Sequence, residues 1–417
     1  MILSSGIYQK TLLNTSEVAQ SELDIENKIR SNPLAWNGQF SPQLIQVLLS
    51  VYARPGFNIF DPFLGSGTVL LEAGRAGLLA RGTEINPAAV ALAQTYQFIN
   101  TARDSRRSHT RTVQKMLCRE FPADLPLFRD SGQTRGKLDA EEIKARFAKL
   151  LPTVANHLQH QLLETLAALL DFYKPDLSVK KVFTTWRSLS QLVTELPYSR
   201  ETIEVYHADA RATPLPDATV DLVITSPPYI NVFNYHQQYR ASMETLNWDI
   251  LKVAKSEIGS NRKNRGNRFL TVIQYCLDTA QTFYEMARIC KPNTRLIFIV
   301  GRESTVRGTR IFNGELVAEV AHRALGFDLR LRQERVFRNR FGQDIFEDIL
   351  HFSPPRNNIS EKFLTNAKEL AREVLKKTCS TAPDKAKDDV ESAIENIETV
   401  KPSPIFSLSK TPKTQRG

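Results

Sequence analysis

Two short segments hold the residue types and spacings best suited to chemistry. The first is Asp61-Pro62-Phe63-Leu64-Gly65-Ser66-Gly67-Thr68, an acid followed by two closely spaced glycines. The second is Ser226-Pro227-Pro228-Tyr229, preceded by Thr225. Glycines at 65 and 67 permit a tight turn and close approach of backbone to a ligand. No Gly-Lys-Ser/Thr follows them, so the loop is not a phosphate cradle of the NTPase kind. The third glycine of a dinucleotide fingerprint is also missing. An acid at this point repels a pyrophosphate and suits an ammonium group.

Glu84 stands 19 residues after Gly65, at the end of the next strand pattern. A carboxylate there is placed to accept hydrogen bonds from ribose hydroxyls. A ligand with an α-amino group, a ribose and no phosphate meets all three conditions, and S-adenosylmethionine is such a ligand. The competing reading is a merely structural glycine turn. It leaves the strand-end acid and its distance from Glu84 without a purpose.

The Ser-Pro-Pro-Tyr segment points to an exocyclic amine of a nucleobase. Such an amine is a weak nucleophile, because its lone pair is delocalised into the ring. Accepting its N–H bonds with a Ser oxygen and a prolyl carbonyl draws the nitrogen toward tetrahedral geometry and frees the lone pair to attack a methyl group. An adjacent aromatic ring stacks on an extruded base, worth about 1–3 kcal/mol. No Pro-Cys dipeptide occurs in the chain, which argues against a covalent route to a ring carbon. A proline-rich surface turn is the bland alternative, and the nearby cofactor loop speaks against it.

These segments need elements to hold them. Residues 41–53 carry Leu44, Val47, Leu48 and Val51 at helical spacing, with Ser41 as N-cap and Pro42 in the first turn. Strands are expected around 57–63, 80–85, 202–210, 220–229 and 295–301, with helices over 68–78, 87–100, 271–290 and 313–325. Two prolines in succession cannot continue a central strand, so Ser226 leaves the sheet at a strand's carboxyl end, the edge where open α/β sheets bind ligands. A hairpin of 327–337 with 344–352, turning around 339–342, closes the sheet with antiparallel strands. The fold expected is α/β: a Rossmann-like doubly wound sheet with an antiparallel C-terminal hairpin, a helical insertion and a disordered tail. The expected organisation is a lead-in and cofactor-binding half over 1–100, the insertion over 101–200, the catalytic half over 201–353, and a helix (362–377) with a mostly disordered tail over 354–417.

Composition sets the wider bounds. The 417 residues carry a formal net charge of +10, with 41% hydrophobic and 24% charged residues. That balance is ordinary for a globular chain and leans toward a polyanionic partner. The charge is localised. Residues 101–150 hold eight arginines and four lysines against seven acids, a net +5, and residues 251–270 hold six basic residues against Glu257, also +5. No stretch is apolar enough for a membrane span and no secretory signal is visible. The four cysteines are scattered without a CxxC pair, so neither a disulfide framework nor a zinc site is expected. A cytoplasmic setting follows, and the transfer chemistry itself requires no metal.

Taken together, the two segments resemble the amino-methyltransferases of DNA, the family that makes N4-methylcytosine and N6-methyladenine. DPFLGSGT looks like the family's cofactor motif, with Asp61, Pro62, Phe63, Gly65, Ser66, Gly67 and Thr68 as cofactor-binding candidates; TSPPY looks like its catalytic motif, with Ser226, Pro227, Pro228 and Tyr229. The Ser-Pro-Pro-Tyr form is more typical of the cytosine-N4 members, since adenine members more often begin with Asp or Asn. The resemblance spans roughly 31–100 and 200–352, in the cofactor-first order. WNGQFSPQL (36–44) is similar to the segment that helps bind the methionine end, which nominates Phe40 and Ser41. Glu84 matches the ribose-binding acid. Asp209 matches the acid that reads the adenine amine, with Ala210 beside it.

The resemblance implies S-adenosylmethionine as cofactor and DNA as partner. It implies a cognate restriction endonuclease where such an enzyme belongs to a restriction-modification system, and none where it acts alone. No separate large target-recognition domain follows the sheet. Sequence readout is therefore assigned to 101–200 or to the basic loop 250–270, with Arg262, Lys263, Arg265 and Arg268 as DNA-binding candidates. Competing readings are an adenine-N6 enzyme, an RNA base methyltransferase, and a non-catalytic nucleic-acid-binding protein that keeps the fold.

Overall fold

The computed structural model describes residues 6–122, 138–230, 234–259, 266–338 and 342–408. Its centre is a seven-stranded sheet built from β1 (Asn58–Asp61), β2 (Leu79–Glu84), β3 (Ile203–His207), β4 (Val220–Thr225), β5 (Cys290–Gly301), β8 (Asp328–Arg338) and β9 (Asp344–Ser353). Between β5 and β8 lies a separate two-stranded ribbon, β6 (Glu303–Val306) with β7 (Thr309–Phe312). The strand order in the main sheet is β3-β2-β1-β4-β5-β9-β8. The first five strands are parallel, while β9 runs antiparallel to both β5 and β8. This is a Rossmann-like doubly wound sheet finished by an antiparallel hairpin. Chain progression reverses between β1 and β4, which makes their carboxyl ends the switch point where ligands bind in such sheets.

Period-two alternation of apolar residues separates the two faces. Phe60, Val223, Leu296, Phe298 and Val300 face one layer, shared with the helices Phe269–Ile289, Asn313–Glu319 and Phe363–Thr381. Ile59, Leu222, Ile224, Ile297 and Ile299 face the other, against the helices Pro42–Tyr52 and Thr68–Arg75. Strands buried on both faces read as continuous apolar runs, as VDLVIT and RLIFIV do.

Among the described residues of 101–200 there are four α-helices: Arg103–Glu120, Ala140–Leu150, His157–Leu170 and Val179–Glu195. Three start on side-chain caps: Asp139 in a capping box with Glu142, Asn156 and Ser178. Their core around Leu162, Leu166, Trp186 and Val113 is continuous with Ala88, Leu92 and Tyr96 beside the sheet. Arg106 is buried and donates to the main-chain carbonyls of Thr101, Val193 and Leu196, a cation seated at a helix C-terminus.

The tail departs from expectation. Instead of disorder beyond 378, the helix Phe363–Thr381 continues to 381 and a second helix spans Asp384–Glu395. Ala386, Val390, Ala393 and Ile397 are buried at spacings of three and four. This stripe is made of mostly small residues, so it holds on to the preceding helix without the large side chains that composition arguments look for. Residues 400–408 then form a strap without regular secondary structure, bonded to Gln274, Asp278 and Asp209. No helix among the described residues is long and apolar enough to cross a membrane.

Candidate active site

A cavity of about 90 Å³ opens at the carboxyl ends of β1, β2 and β4. Phe40, Pro62, Phe63, Gly65, Ser66, Thr68, Glu84, Asp209, Ala210, Ser226 and Pro228 line it. Both sequence segments therefore meet at one site, although some 160 residues separate them. Asp61, Ser41, Gly67, Pro227 and Tyr229 are not among the lining residues, although each adjoins one in sequence.

The glycine turn is shaped by sterics. Gly65 has φ +51° and Gly67 φ +89°. A Cβ on Gly65 would lie 3.2 Å from the Trp36 indole, and one on Gly67 would lie 3.0 Å from Ala93. The helix Thr68–Arg75 starts immediately after, aiming its first amides toward the turn. Side chains brace the loop from outside: Ser66 Oγ donates to Gln39 Oε1 at 3.0 Å, and Thr68 Oγ1 donates to Asn32 Oδ1 at 2.9 Å.

Glu84 is fixed by three main-chain amides. Oε1 accepts from Ile85 and Asn86 at 2.9 and 2.8 Å, and Oε2 accepts from Gly65 at 2.9 Å. A carboxylate offers about four acceptor positions, so one remains for a ligand hydroxyl. Burial pushes its pKa up to about 7, against those three amides. Asp61 is buried at the end of β1 and is likewise pushed up to about 7 by burial. Its Oδ1 accepts from Phe63 N at 3.0 Å and from Thr225 Oγ1 at 2.6 Å, a direct tie between the strand ends β1 and β4. Ser41 Oγ is buried without a hydrogen-bond partner.

Asp209 differs from the role that the resemblance implies. Its Oδ1 accepts from Arg211 N and Nε, and its Oδ2 accepts from Arg211 Nη2 and from Phe406 N. All four acceptor positions are taken within the chain. Arg211 also donates to Asp278 and to the carbonyls of Ser403 and Pro404, while Ser403 bonds Asp278 through both its amide and its hydroxyl. The strap thus staples the Asp209 wall to the helix Phe269–Ile289. The Phe406 ring stacks on His207 at 5.0 Å. Asp209 shapes this wall of the cavity, and its acceptors face Arg211 and the strap.

Sequence reasoning missed several lining residues. Trp36 stacks on Tyr235 at 6.3 Å and 15°, closing one side. Glu257 lines the cavity and bonds buried His236 through Nδ1 at 2.6 Å. Trp36 lies inside the WNGQFSPQL segment, so its signal was in view. Glu257 had none, since a single acid in a basic loop reads as surface.

The catalytic turn has its own network. Ser226 Oγ lies 3.0 Å from Tyr229 Oη, which is 3.3 Å from Glu347 Oε1 and 3.5 Å from the carbonyl of Ile299. The Tyr229 ring rests on Gly301, where a Cβ would come within 2.9 Å of it. Among the DNA-binding candidates, Arg268 sits at the N-cap of the helix Phe269–Ile289, whereas Arg262, Lys263 and Arg265 lie outside the described residues.

The lining fits S-adenosylmethionine. Glu84 and Glu257 are on the cavity wall, Asp209 there is paired with Arg211, and no Lys, Arg or His is among the described lining residues. Such a wall disfavours a phosphate and favours a ligand carrying ammonium and sulfonium charge. Glu84 keeps an acceptor for a ribose hydroxyl, and Trp36, Phe40 and Phe63 provide apolar surface.

Comparison with known proteins agrees. The N6/N4 methyltransferase family model, described as DNA methylase, matches residues 9–95. The Type II methyltransferase M.BsoBI of Geobacillus stearothermophilus is 22% identical, with the alignment covering 66% of this chain and 74% of that one. The Type II methyltransferase M.MjaII of Methanocaldococcus jannaschii is 38% identical over 52 residues, 12% of this chain and 10% of its own. Among solved structures, a SAM-dependent methyltransferase from Methanosarcina mazei superposes with a TM-score of 0.33 at 12% identity, covering 74% of this chain and 98% of that one. The PH0226 protein from Pyrococcus horikoshii OT3 gives 0.32 at 12% identity, covering 74% and 87%. The strand order, rather than these partial superpositions, carries the fold assignment. The cofactor loop 61–68 lies within the segment that matches the N6/N4 DNA methylase model, so over residues 9–95 the chain is similar to that family.

Proposed function

We propose that the protein transfers a methyl group to the exocyclic amine of an extruded DNA base, with cytosine N4 preferred to adenine N6. The observation that carries this reading is the shared cavity: Ser226 and Pro228 line the same space as Gly65 and Glu84. Residues that receive an amine therefore face residues that hold a methyl donor. A hydroxyl at 226, where a carboxylate would otherwise stand, supports the cytosine preference.

When bound, S-adenosylmethionine supplies an electrophilic methyl group. Glu84 would hold its ribose, the turn 62–68 would pass beneath it, and Asp61 would lend negative charge from below. Ser226 Oγ and the carbonyl of Pro227 accept the amine's N–H bonds and steer its lone pair. The part of the Tyr229 ring that is not packed on Gly301 would offer a stacking surface of about 1–3 kcal/mol, which offsets part of the few kcal/mol spent on extruding the base. DNA is held, in this reading, by Arg268 with its neighbouring basic loop and by the insertion. There, Arg103, Arg107, Arg111, Lys115 and Arg119 recur every fourth residue along one helix, all exposed. Phosphate contacts of this kind position the duplex and leave sequence readout to other groups. The same activity serves a restriction-modification pair or a solitary modification enzyme.

The test is direct. Duplex DNA methylated by the purified protein, digested to nucleosides and resolved by mass spectrometry, should yield N4-methylcytosine. N6-methyladenine in its place would overturn the base assignment, and methylation confined to RNA would overturn the substrate class. Ser226→Ala should lower turnover by about a hundredfold or more while leaving cofactor binding, followed by calorimetry, near wild type.

A further inference from the structure

Methylation of an amine leaves one proton to be removed. The nitrogen lone pair forms the N–C bond as the C–S bond breaks, and the bonding pair departs with sulfur. The nitrogen is then cationic until an N–H proton leaves. Two residues of the catalytic turn, Ser226 and Tyr229, and Glu347 behind it provide a way out, and strand register explains their alignment.

Gly301 on β5 pairs with Glu347 on β9, and Glu347 pairs with Arg335 on β8. Cross-strand partners project from the same face of a sheet. The missing side chain at Gly301 makes the space that the Tyr229 ring fills. Tyr229 Oη thereby comes within 3.3 Å of Glu347 Oε1 on one side and 3.0 Å of Ser226 Oγ on the other. Hydrogen-bond polarity follows from the carboxylate. Ionised Glu347 can only accept, so Tyr229 donates to it. The Tyr229 oxygen then accepts from Ser226, and the Ser226 lone pairs are left to face the amine.

We propose that Ser226, Tyr229 and Glu347 form a proton relay that carries the amine's departing proton away from the cavity. The inference rests on the amine-methylation reading above. The N–H proton passes to Ser226 Oγ, the Ser226 proton to Tyr229 Oη, and the Tyr229 proton to the Glu347 carboxylate. Each oxygen gains one proton as it gives one up, and Glu347 ends protonated. Its side chain is 15% exposed, which gives it a route to exchange with solvent. Arg335 faces it from β8 with Nη1 at 3.6 Å, Tyr229 faces it from the catalytic turn, and Asp348 neighbours it on β9, itself bonded by Arg302 and Tyr8. Burial raises the Glu347 pKa above the ordinary glutamate value against the pull of Arg335, which suits a group that must take up a proton. Ser226 touches the substrate; Tyr229 Oη and Glu347 act through it as positioning and proton-accepting groups.

The test compares wild type, Glu347→Gln and Tyr229→Phe in single-turnover methylation of duplex DNA from pH 5.5 to 9, with cofactor affinity measured by calorimetry. The wild-type rate should rise with pH along an acidic limb and then level off. Both variants should lose that limb and fall roughly tenfold to a hundredfold at the plateau, with cofactor affinity held. Tyr229→Phe keeps the ring over Gly301 and removes only the oxygen, so it carries the test even where Glu347→Gln fails to fold. Wild-type rate and pH profile in Tyr229→Phe would overturn the relay. Absence of any DNA methylation by wild type would instead overturn the underlying reading, so the two failures are distinguishable.

Discussion

Thr225 Oγ1 donates a 2.6 Å hydrogen bond to Asp61 Oδ1, joining the last residue of β4 to the last residue of β1. Both groups are buried, at 0% and 1% exposure. The bond spans the switch point of the sheet and fixes the cofactor turn against the catalytic turn. The two halves of the site are thereby held in one register.

Thr225→Val keeps the shape and removes the donor. Asp61 then lies buried with one partner fewer, at a cost of about 1–3 kcal/mol. Chemical denaturation should show that loss. Cofactor affinity and methylation rate should fall together, with Thr225→Ser restoring both. A variant that lost stability while keeping both constants would remove the bond from the site's working parts.

Asp61 and Glu84 are each pushed up to about 7 by burial, from ordinary values of 3.8 and 4.5. Between about pH 4 and 7 the folded chain holds protons that the unfolded chain has released. Raising pH through that window therefore lowers the stability of the empty protein. A cationic ligand beside the ionised carboxylates has the opposite preference. Cofactor affinity should increase from pH 6 to pH 8, and the cofactor's stabilising shift in Tm should grow in step. Equal affinity at both values would mean that neither carboxylate changes its charge on binding.

Arg211 is fully buried among Asp209, Asp278 and three strap or loop carbonyls. Removing one partner of a buried charge pair typically costs about 3–5 kcal/mol. Arg211→Ala should destabilise by that order in urea unfolding. The milder Ser403→Ala should weaken cofactor binding more than it slows the bound complex, because Ser403 ties the strap to Asp278 away from the methyl-transfer end. An unchanged cofactor affinity in Ser403→Ala would show the strap to be a brace alone.

Reversing charge on the insertion separates DNA grip from chemistry. Arg107→Glu with Arg111→Glu should weaken DNA binding and flatten its salt dependence by about 0.9 in slope for each phosphate no longer neutralised. Cofactor affinity should not move. An unchanged slope, read from fluorescence anisotropy against salt, would send DNA to another face.

Much of the sheet was legible because its signals are local. DPFLGSGT and TSPPY each force the chain out of a strand, and buried runs such as RLIFIV can be little else. The paired antiparallel strands β8 and β9 were readable from alternation and turn residues. Three features were not. The ribbon β6–β7 turns on Arg307 and Gly308, both at positive φ, a two-residue signal hidden in a stretch that otherwise reads as connection. The tail hid its helix behind small apolar residues. The Gly301–Glu347–Arg335 row is a matter of register between strands far apart in sequence, and no local pattern specifies it. Asp209 was found by motif, but its partner Phe406 lies 197 residues away.

That last distance bears on how the protein is made. Arg211 and Ser403 are 192 residues apart, and Tyr8 meets Asp348 across 340. Contacts of such separation form late, after the entropy of closing long loops has been met. A chain growing from its N-terminus carries the Gly65 turn, Glu84 and the Ser226 turn long before Ser403 and Phe406 exist to set the opposite wall. Cofactor binding is therefore expected to report on the folding of nearly the whole polypeptide, and a nascent chain should reach full affinity only once its strap has been synthesised and docked.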